Sequence, residues 1–321
     1  MLLKVDNLQV SFKRDGKSVT GVRDMSFSIN EGENLALIGE SGSGKSVTAL
    51  SCMRLLDNNA VISQGTVMFE GEDLTKASEK FMEKIRGSRI SMIFQEHGTS
   101  LNPVLSVKYQ LAEAFRLHTT LTKKQIHDEC VKLMEEVGIA DPEKTLNFFP
   151  HELSGGMRQR VIIAMALACK PRLLIADEPT TALDLTIQAQ MFSLLRKLQK
   201  EIGFTIMIIT HDFGVVAETA DKVLVMYAGI AVETGSVVEI FTNPLHPYTK
   251  GLLKSVISVN ADTESPLYTI KGMPPRALSE ENSCPFYERC SERSDICKKE
   301  LPAMTEQAKE HFVRCFSVFC G

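Results

Sequence analysis

The sequence predicts an α/β fold, and three observations carry that expectation. Short strands with turn signals open the chain. An apolar strand then runs into a glycine-rich loop, and from Leu173 onward buried strands alternate with a helix.

The opening strands are expected at Leu2 to Val5, Leu8 to Phe12, Val22 to Ile29 and Asn34 to Ile38, with turns at Asp15-Gly16 and Glu31-Gly32. Alternation in Met25-Ser26-Phe27-Ser28-Ile29 gives one wetter face, whereas Leu35-Ala36-Leu37-Ile38 is uniformly apolar, as a buried parallel strand would be. Gly65 to Phe69 reads as an edge strand of the early sheet. From about Leu101 to Glu152 the pattern turns helical. Thr122 and Gln125 can form a capping box, Ile126, Cys130, Leu133, Met134 and Val137 form one stripe, and Gly138 supplies a stop. Strand signals return at Leu173 to Ala176, Thr205 to Ile209 and Lys222 to Tyr227, with a helix from Ile187 to Glu201 that buries Leu194, Leu195 and Leu198. Gly235 marks a change into a small domain with little regular structure in its second half.

Bulk properties set limits. The chain has 321 residues, 44% hydrophobic and 24% charged, room for one domain of roughly 200 to 250 residues and an appendage. Its longest apolar run, Val161 to Cys169, is about half what a bilayer crossing needs. Met1 to Asp6 alternates like a strand and has no signal-peptide pattern, so a cytosolic protein with at most a peripheral membrane role is expected. A net charge of -4 argues against coating nucleic acid.

Gly39-Glu40-Ser41-Gly42-Ser43-Gly44-Lys45-Ser46, followed by Val47, matches G-x-x-x-x-G-K-[ST] between a strand and a helix. Backbone N–H groups and the helix N-terminus then favour phosphates, Lys45 reaches the β- and γ-phosphates, and Ser46 holds magnesium. Leu173 to Ala176 delivers Asp177 to the magnesium shell and Glu178 to the attacking water. His211 and Gln95, both at strand ends, suit contacts to the γ-phosphate and to magnesium.

These residues, with Leu153-Ser154-Gly155-Gly156-Met157-Arg158-Gln159-Arg160, resemble the nucleotide-binding subunit of ATP-binding-cassette (ABC) transporters over essentially the whole chain. The resemblance implies a P-loop ABC cassette with an antiparallel β subdomain and an inserted helical subdomain, plus a small Cys-rich C-terminal domain. The cassette is expected over residues 1–235, its helical subdomain over about 98–160, and the C-terminal domain over 236–321. It also implies head-to-tail pairing of two cassettes, with Ser154, Gly155 and Gly156 facing the partner's γ-phosphate. Asp184 falls in the family's dimer-interface loop, His211 at its switch histidine, and Phe12 at its adenine-stacking aromatic.

Thr99 to Pro103, Ala176 to Gln190 and Asn243-Pro244-Leu245-His246-Pro247-Tyr248-Thr249 resemble the dipeptide, oligopeptide and nickel importer branch. That branch implies ATP and Mg2+, a second and similar ATPase, two permease subunits, and an extracytoplasmic peptide-binding protein, with the chain at the cytoplasmic membrane face. A nickel or metal-chelate importer, and a soluble cassette acting on nucleic acid or ribosomes, are the competing functions. Two departures stand out: Glu96-His97-Gly98 replaces a more usual acidic residue and Pro-Met, and Ile230, in place of a basic residue, is expected at the surface.

Cys284, Cys290, Cys297 and Cys315 are spaced C-x5-C-x6-C-x17-C, with Cys320 a weaker fifth. Spacing alone leaves zinc, iron and unligated thiols open. The resemblance of Cys284 to Cys290 to the family's cysteine-rich tail implies a structural [4Fe–4S] cluster on the first four.

Overall fold

The computed structural model describes residues 1–14, 16–95, 100–179, 185–255, 268–275 and 282–319. In chain order, β1 (Leu3–Arg14), β2 (Lys17–Ile29) and β3 (Leu35–Ile38) precede α1 (Lys45–Met53). Strands β4 (Ala60–Phe69) and β5 (Glu72–Asp73) lead to α2 (Glu79–Ile85) and β6 (Ile90–Ile93). Helices α3 (Val107–His118), α4 (Lys123–Glu136), α5 (Pro142–Thr145) and α6 (Gly155–Leu167) come before β7 (Leu173–Asp177). Then follow α7 (Leu185–Ile202), β8 (Thr205–Ile209), α8 (Phe213–Thr219), β9 (Lys222–Tyr227) and β10 (Ile230–Ser236). The chain closes with α9 (Val237–Thr242), α10 (Pro247–Ser255), α11 (Asp295–Lys299), β11 (Thr305–Ala308) and β12 (His311–Val313). It divides into two compact units: Met1–Ile29, Glu33–Thr75 and Thr210–Gly321 make the first, Asn30–Gly32 and Lys76–Ile209 the second.

In the first unit an antiparallel sheet runs β2-β1-β4-β5. Leu3, Val5, Leu8 and Val10 point into its core, and the change of phase between Val5 and Leu8 is a bulge at Asn7, whose φ is 49°. The two strands expected here are thus one strand with an irregularity. Strand β4 pairs on both sides, with β1 and with β5, so the segment expected at the edge lies inside the sheet.

The same unit contains β3 parallel to β9, from Leu35 opposite Lys222 to Ile38 opposite Val225. Strand β10 folds back antiparallel on β9, and β12 and β11 continue outward from it. Strand β10 therefore runs through the expected boundary at 235. Its first residue, Ile230, is 1% exposed and packs with Val225, Val232 and Tyr248, which corrects the surface expectation. Removing a residue of that size from water is worth about 1.5 to 3 kcal/mol, whereas a basic side chain there would need a buried partner.

The second unit carries β6, β7 and β8 as parallel neighbours, every residue buried. Helix α4 starts with the capping box expected at Thr122 and Gln125 and buries Ile126, Cys130, Leu133 and Met134. Helix α7 is buried through Met191, Phe192, Leu195 and Leu198, while Leu194 is half-buried. The run Val161 to Leu167 belongs to α6, where Val161, Ile163, Ala164 and Leu167 are fully buried. Among the described residues no helix is long and apolar enough to cross a membrane.

Candidate nucleotide site

The first unit builds the phosphate loop from β3 into α1. Gly39 has φ 153°, and a Cβ there would lie 2.2 Å from the Met226 carbonyl oxygen. Gly44, at φ 98°, occupies the N-cap of α1, and no side-chain cap competes there with an anion. Lys45 is 6% exposed and folds back on the loop, its Nζ donating to the carbonyls of Gly39 (2.8 Å) and Glu40 (2.9 Å). Ser43 is buried and its carbonyl accepts from the Gly229 N–H at 2.8 Å. Ser41 and Gly42 are exposed, Ser46 and Val47 half-buried. Such a loop presents backbone donors around a held cation, which is what polyphosphate needs.

Two more expected residues lie in this unit. His211 is exposed just after β8 and before α8, whose cap is Asp212, its Oδ1 accepting from the Gly214 and Val215 N–H groups. Phe12 is half-buried on β1 with its ring against Gly21, where a Cβ would fall 2.5 Å away.

The second unit assembles the acidic part. Asp177 ends β7 at 4% exposure, opposite Ile209 of β8. The next residue, Glu178, takes φ 42°, a left-handed conformation uncommon for a side chain of its length, while its N–H donates to the Ile209 carbonyl at 2.9 Å. Strain of that kind recurs at functional sites. The Glu178 Oε2 accepts from Gln95 Nε2 at 2.8 Å, which brings together two of the residues singled out in the sequence. Ser154 caps α6, its Oγ accepting from the Met157 N–H at 3.3 Å. Ser154 and Gly155 are exposed, and a Cβ on Gly155 or Gly156 would meet nothing within 4 Å. That end of the helix is open. Asp184 and Glu96-His97-Gly98 lie outside the described residues.

Sequence reading passed over Gln159 and Glu233. Gln159, 3% exposed on α6, donates from Nε2 to the Pro179 carbonyl and thereby ties the signature helix to the residue after Glu178. Glu233 is fully buried, and its carboxyl oxygens accept from Leu245 N (2.7 Å), His246 N (2.9 Å) and His311 Nε2 (2.8 Å). It holds the start of the Asn243 to Thr249 segment, in which His246, Pro247, Tyr248 and Thr249 are buried. His246 Nδ1 accepts from the Tyr248 N–H at 3.0 Å, and burial pushes the ring's pKa down to about 3. The only signal for Gln159 was its place inside the signature. Glu233 had none, since a single acidic residue in a strand reads as solvated.

The cysteine expectation finds no support. Among the described residues no group of three or more His, Cys, Asp or Glu is placed to hold a metal ion. A cluster needs thiolates converging on one point. Burial pushes the Cys284 thiol up to about 12, with the nearby Cys297, Cys315 and Cys290 adding to the rise, and raises Cys290, while Cys297 Sγ lies 3.3 Å from Ser294 Oγ and Cys315 Sγ 3.1 Å from Ser317 Oγ. The [4Fe–4S] site expected on Cys284, Cys290, Cys297 and Cys315 is thus not supported among the described residues; Cys320 is outside them.

Known proteins match both parts of the chain. Residues 22–181 match the family described as ABC transporter, and 232–297 that described as oligopeptide/dipeptide transporter, C-terminal region. The chain is 47% identical to the dipeptide transport ATP-binding protein DppD of Bacillus subtilis over 98% of its own length and 94% of that protein. With the oligopeptide transport ATP-binding protein OppD of the same species the identity is 49%, over 98% and 88%. A solved dimeric ATP-binding cassette in a post-hydrolysis state, bound to ADP and Pi, matches with a TM-score of 0.66 at 26% identity, covering 74% of this chain and 99% of that one. With likeness of this extent resting on both ends of the chain, it belongs to the ABC-type ATPases of the dipeptide and oligopeptide transport ATP-binding family.

Proposed function

We propose that this chain hydrolyses ATP to power peptide import through a membrane permease, and that Glu178 is its general base. The observation that carries the reading is the 2.8 Å hydrogen bond from Gln95 to Glu178, beside the buried Asp177 at the end of β7. Gln95 orients the carboxylate, and the carboxylate orients the attacking water and takes its proton. Lys45 leaves the loop carbonyls for the β- and γ-phosphates, Gly39 to Val47 supply backbone donors, His211 contacts the γ-phosphate, and Phe12 stacks on adenine.

The family's magnesium roles fall on Ser46 of the first unit and on Gln95 and Asp177 of the second, oxygen donors of the hard type that Mg2+ prefers. When bound, the ion neutralises charge on the phosphates.

Peptides are the proposed cargo because the relatives at 47% and 49% identity are named for dipeptide and oligopeptide transport. By the same membership the chain sits at the cytoplasmic membrane face under two permease subunits, pairs with a second ATPase, and receives peptide through an extracytoplasmic binding protein. Ser154, Gly155, Gly156 and Asp184 then serve the partner ATPase's nucleotide.

The test is Glu178→Gln in the assembled transporter. ATP binding is retained, while turnover and peptide uptake fall by about a hundredfold or more, the range of a lost general base. Hydrolysis at the parental rate would remove Glu178 from the role, and uptake of a nickel chelate with no peptide uptake would reassign the cargo.

A further inference from the structure

Glu40, the second residue of the phosphate loop, is held from the far end of the chain. Arg289 lies in the short 3-10 turn Tyr287–Arg289, flanked by two of the tail cysteines. Its Nη1 donates to Glu40 Oε2 at 2.6 Å and its Nη2 to Glu40 Oε1 at 2.9 Å, a two-pronged pair. The Arg289 side chain is 6% exposed and that of Glu40 26%, so water competes weakly for this contact. The remaining edge of the guanidinium is also occupied: Nε donates to the Lys271 carbonyl at 3.1 Å, Nη2 to that of Ile270 at 3.3 Å, and Nη1 to Tyr227 Oη at 3.3 Å. Its carbon stands 5.7 Å from the Tyr227 ring centre and 6.0 Å from that of Phe286.

The other polar groups of Glu40 are engaged as well. Its N–H donates to Tyr248 Oη at 2.8 Å, and its carbonyl accepts from Lys45 Nζ at 2.9 Å. Tyr248 and Phe286 pack with Tyr227 in one aromatic cluster, ring centres 4.7 and 5.1 Å from it. Carboxylate, amide and carbonyl of one loop residue thus answer to the tail arginine, the buried Tyr248 and the phosphate lysine. An exposed ion pair would contribute little, but a bidentate, largely buried guanidinium–carboxylate pair fixes geometry as well as charge.

We propose that Arg289 is a positioning residue for the phosphate loop: through Glu40 it sets the Gly39–Glu40 carbonyls against which Lys45 is placed, and so makes ATP affinity depend on the C-terminal tail. This rests on the nucleotide-binding reading above. Loss of the pair leaves a loop that samples more conformations, and ATP must reorder it on binding. Affinity therefore falls, while Glu178 and the chemistry it serves are untouched.

The experiment measures the ATP affinity of the purified full chain with a fluorescent ATP analogue, and the steady-state ATPase rate of the same variants in the assembled transporter. Arg289→Ala and Glu40→Gln each weaken nucleotide binding and raise KM by about tenfold, about 1.4 kcal/mol, with kcat within about twofold. The double variant is no worse than either single one, because both remove the same contact. Arg289→Lys, with one donor direction in place of two, falls between. Glu40→Gln leaves the tail intact, so it decides the matter if Arg289→Ala does not fold. Unchanged affinity in Glu40→Gln, a double variant about a hundredfold weaker, or a fall in kcat with constant KM each overturns the proposal. A parental chain that binds no ATP would instead overturn the nucleotide reading itself.

Discussion

Replacing Glu233 with alanine removes an acceptor that serves three buried donors: the N–H groups of Leu245 and His246 and Nε2 of His311. A buried donor left without a partner costs about 1 to 3 kcal/mol, so three of them set a scale of about 3 to 9 kcal/mol. The space vacated by the carboxyl group admits water, which recovers part of that, and about 3 to 5 kcal/mol of destabilisation is expected. Against a total of about 5 to 15 kcal/mol this is a large fraction. Glu233→Gln keeps an acceptor oxygen but turns an NH2 toward one of the donors, and should lose roughly half as much. Urea unfolding monitored by circular dichroism gives both values from the shift in midpoint at constant slope. The reasoning fails if Glu233→Ala stays within about 0.5 kcal/mol of the parent, the range of an ordinary surface substitution. An ordering in which glutamine costs more than alanine would also refute it.

Two further perturbations separate pH from loop geometry. His246 is buried and neutral, its pKa lowered to about 3 from 6.5, so between those values the unfolded chain binds one more proton than the folded one. Its contribution is fully present above pH 6.5 and declines by about 1.4 kcal/mol per unit as pH falls toward 3; His246→Asn, which keeps an acceptor for the Tyr248 N–H, should flatten the acid limb of stability against pH by that slope. An unchanged limb would show that another group governs acid unfolding. Gly39→Ala puts a methyl where only 2.2 Å separates it from the Met226 carbonyl oxygen, so the loop must shift, at about 2 to 4 kcal/mol. ATP binding measured by calorimetry should weaken by at least about thirtyfold, with far-ultraviolet circular dichroism unchanged; affinity within about twofold of the parent would refute the steric argument.

Local signals made much of this readable. The uniform apolarity of Leu35 to Ile38, the glycine spacing after it and the cap at Thr122 each follow from chemistry confined to a few neighbouring residues, and each has its counterpart in β3, the phosphate loop and α4. Contacts across long separations had no such signature. Arg289 and Glu40 lie 249 positions apart, and Glu233 meets His311 across 78. Ile230 misled because burial was inferred from what usually stands there, whereas the pairing of Ile230 with Tyr227 in a tight β hairpin places it in the core. The cysteines pose a related question. Their number and spacing speak of ligands, whereas a metal site depends on how the fold aims each sulfur, and serine oxygens lie near two of them.

Gln159 has a mechanical consequence. Its amide grips the carbonyl of Pro179, while Gln95 grips the carboxylate of Glu178, so two side-chain links from different elements meet on adjacent residues of the backbone. The ring of Pro179 locks its own φ, and this joint has little play. Gln95 and the helix capped by Ser154 are thereby tied to the same two-residue stretch of backbone. Shortening Gln159 by one methylene would put slack in the linkage without altering either end.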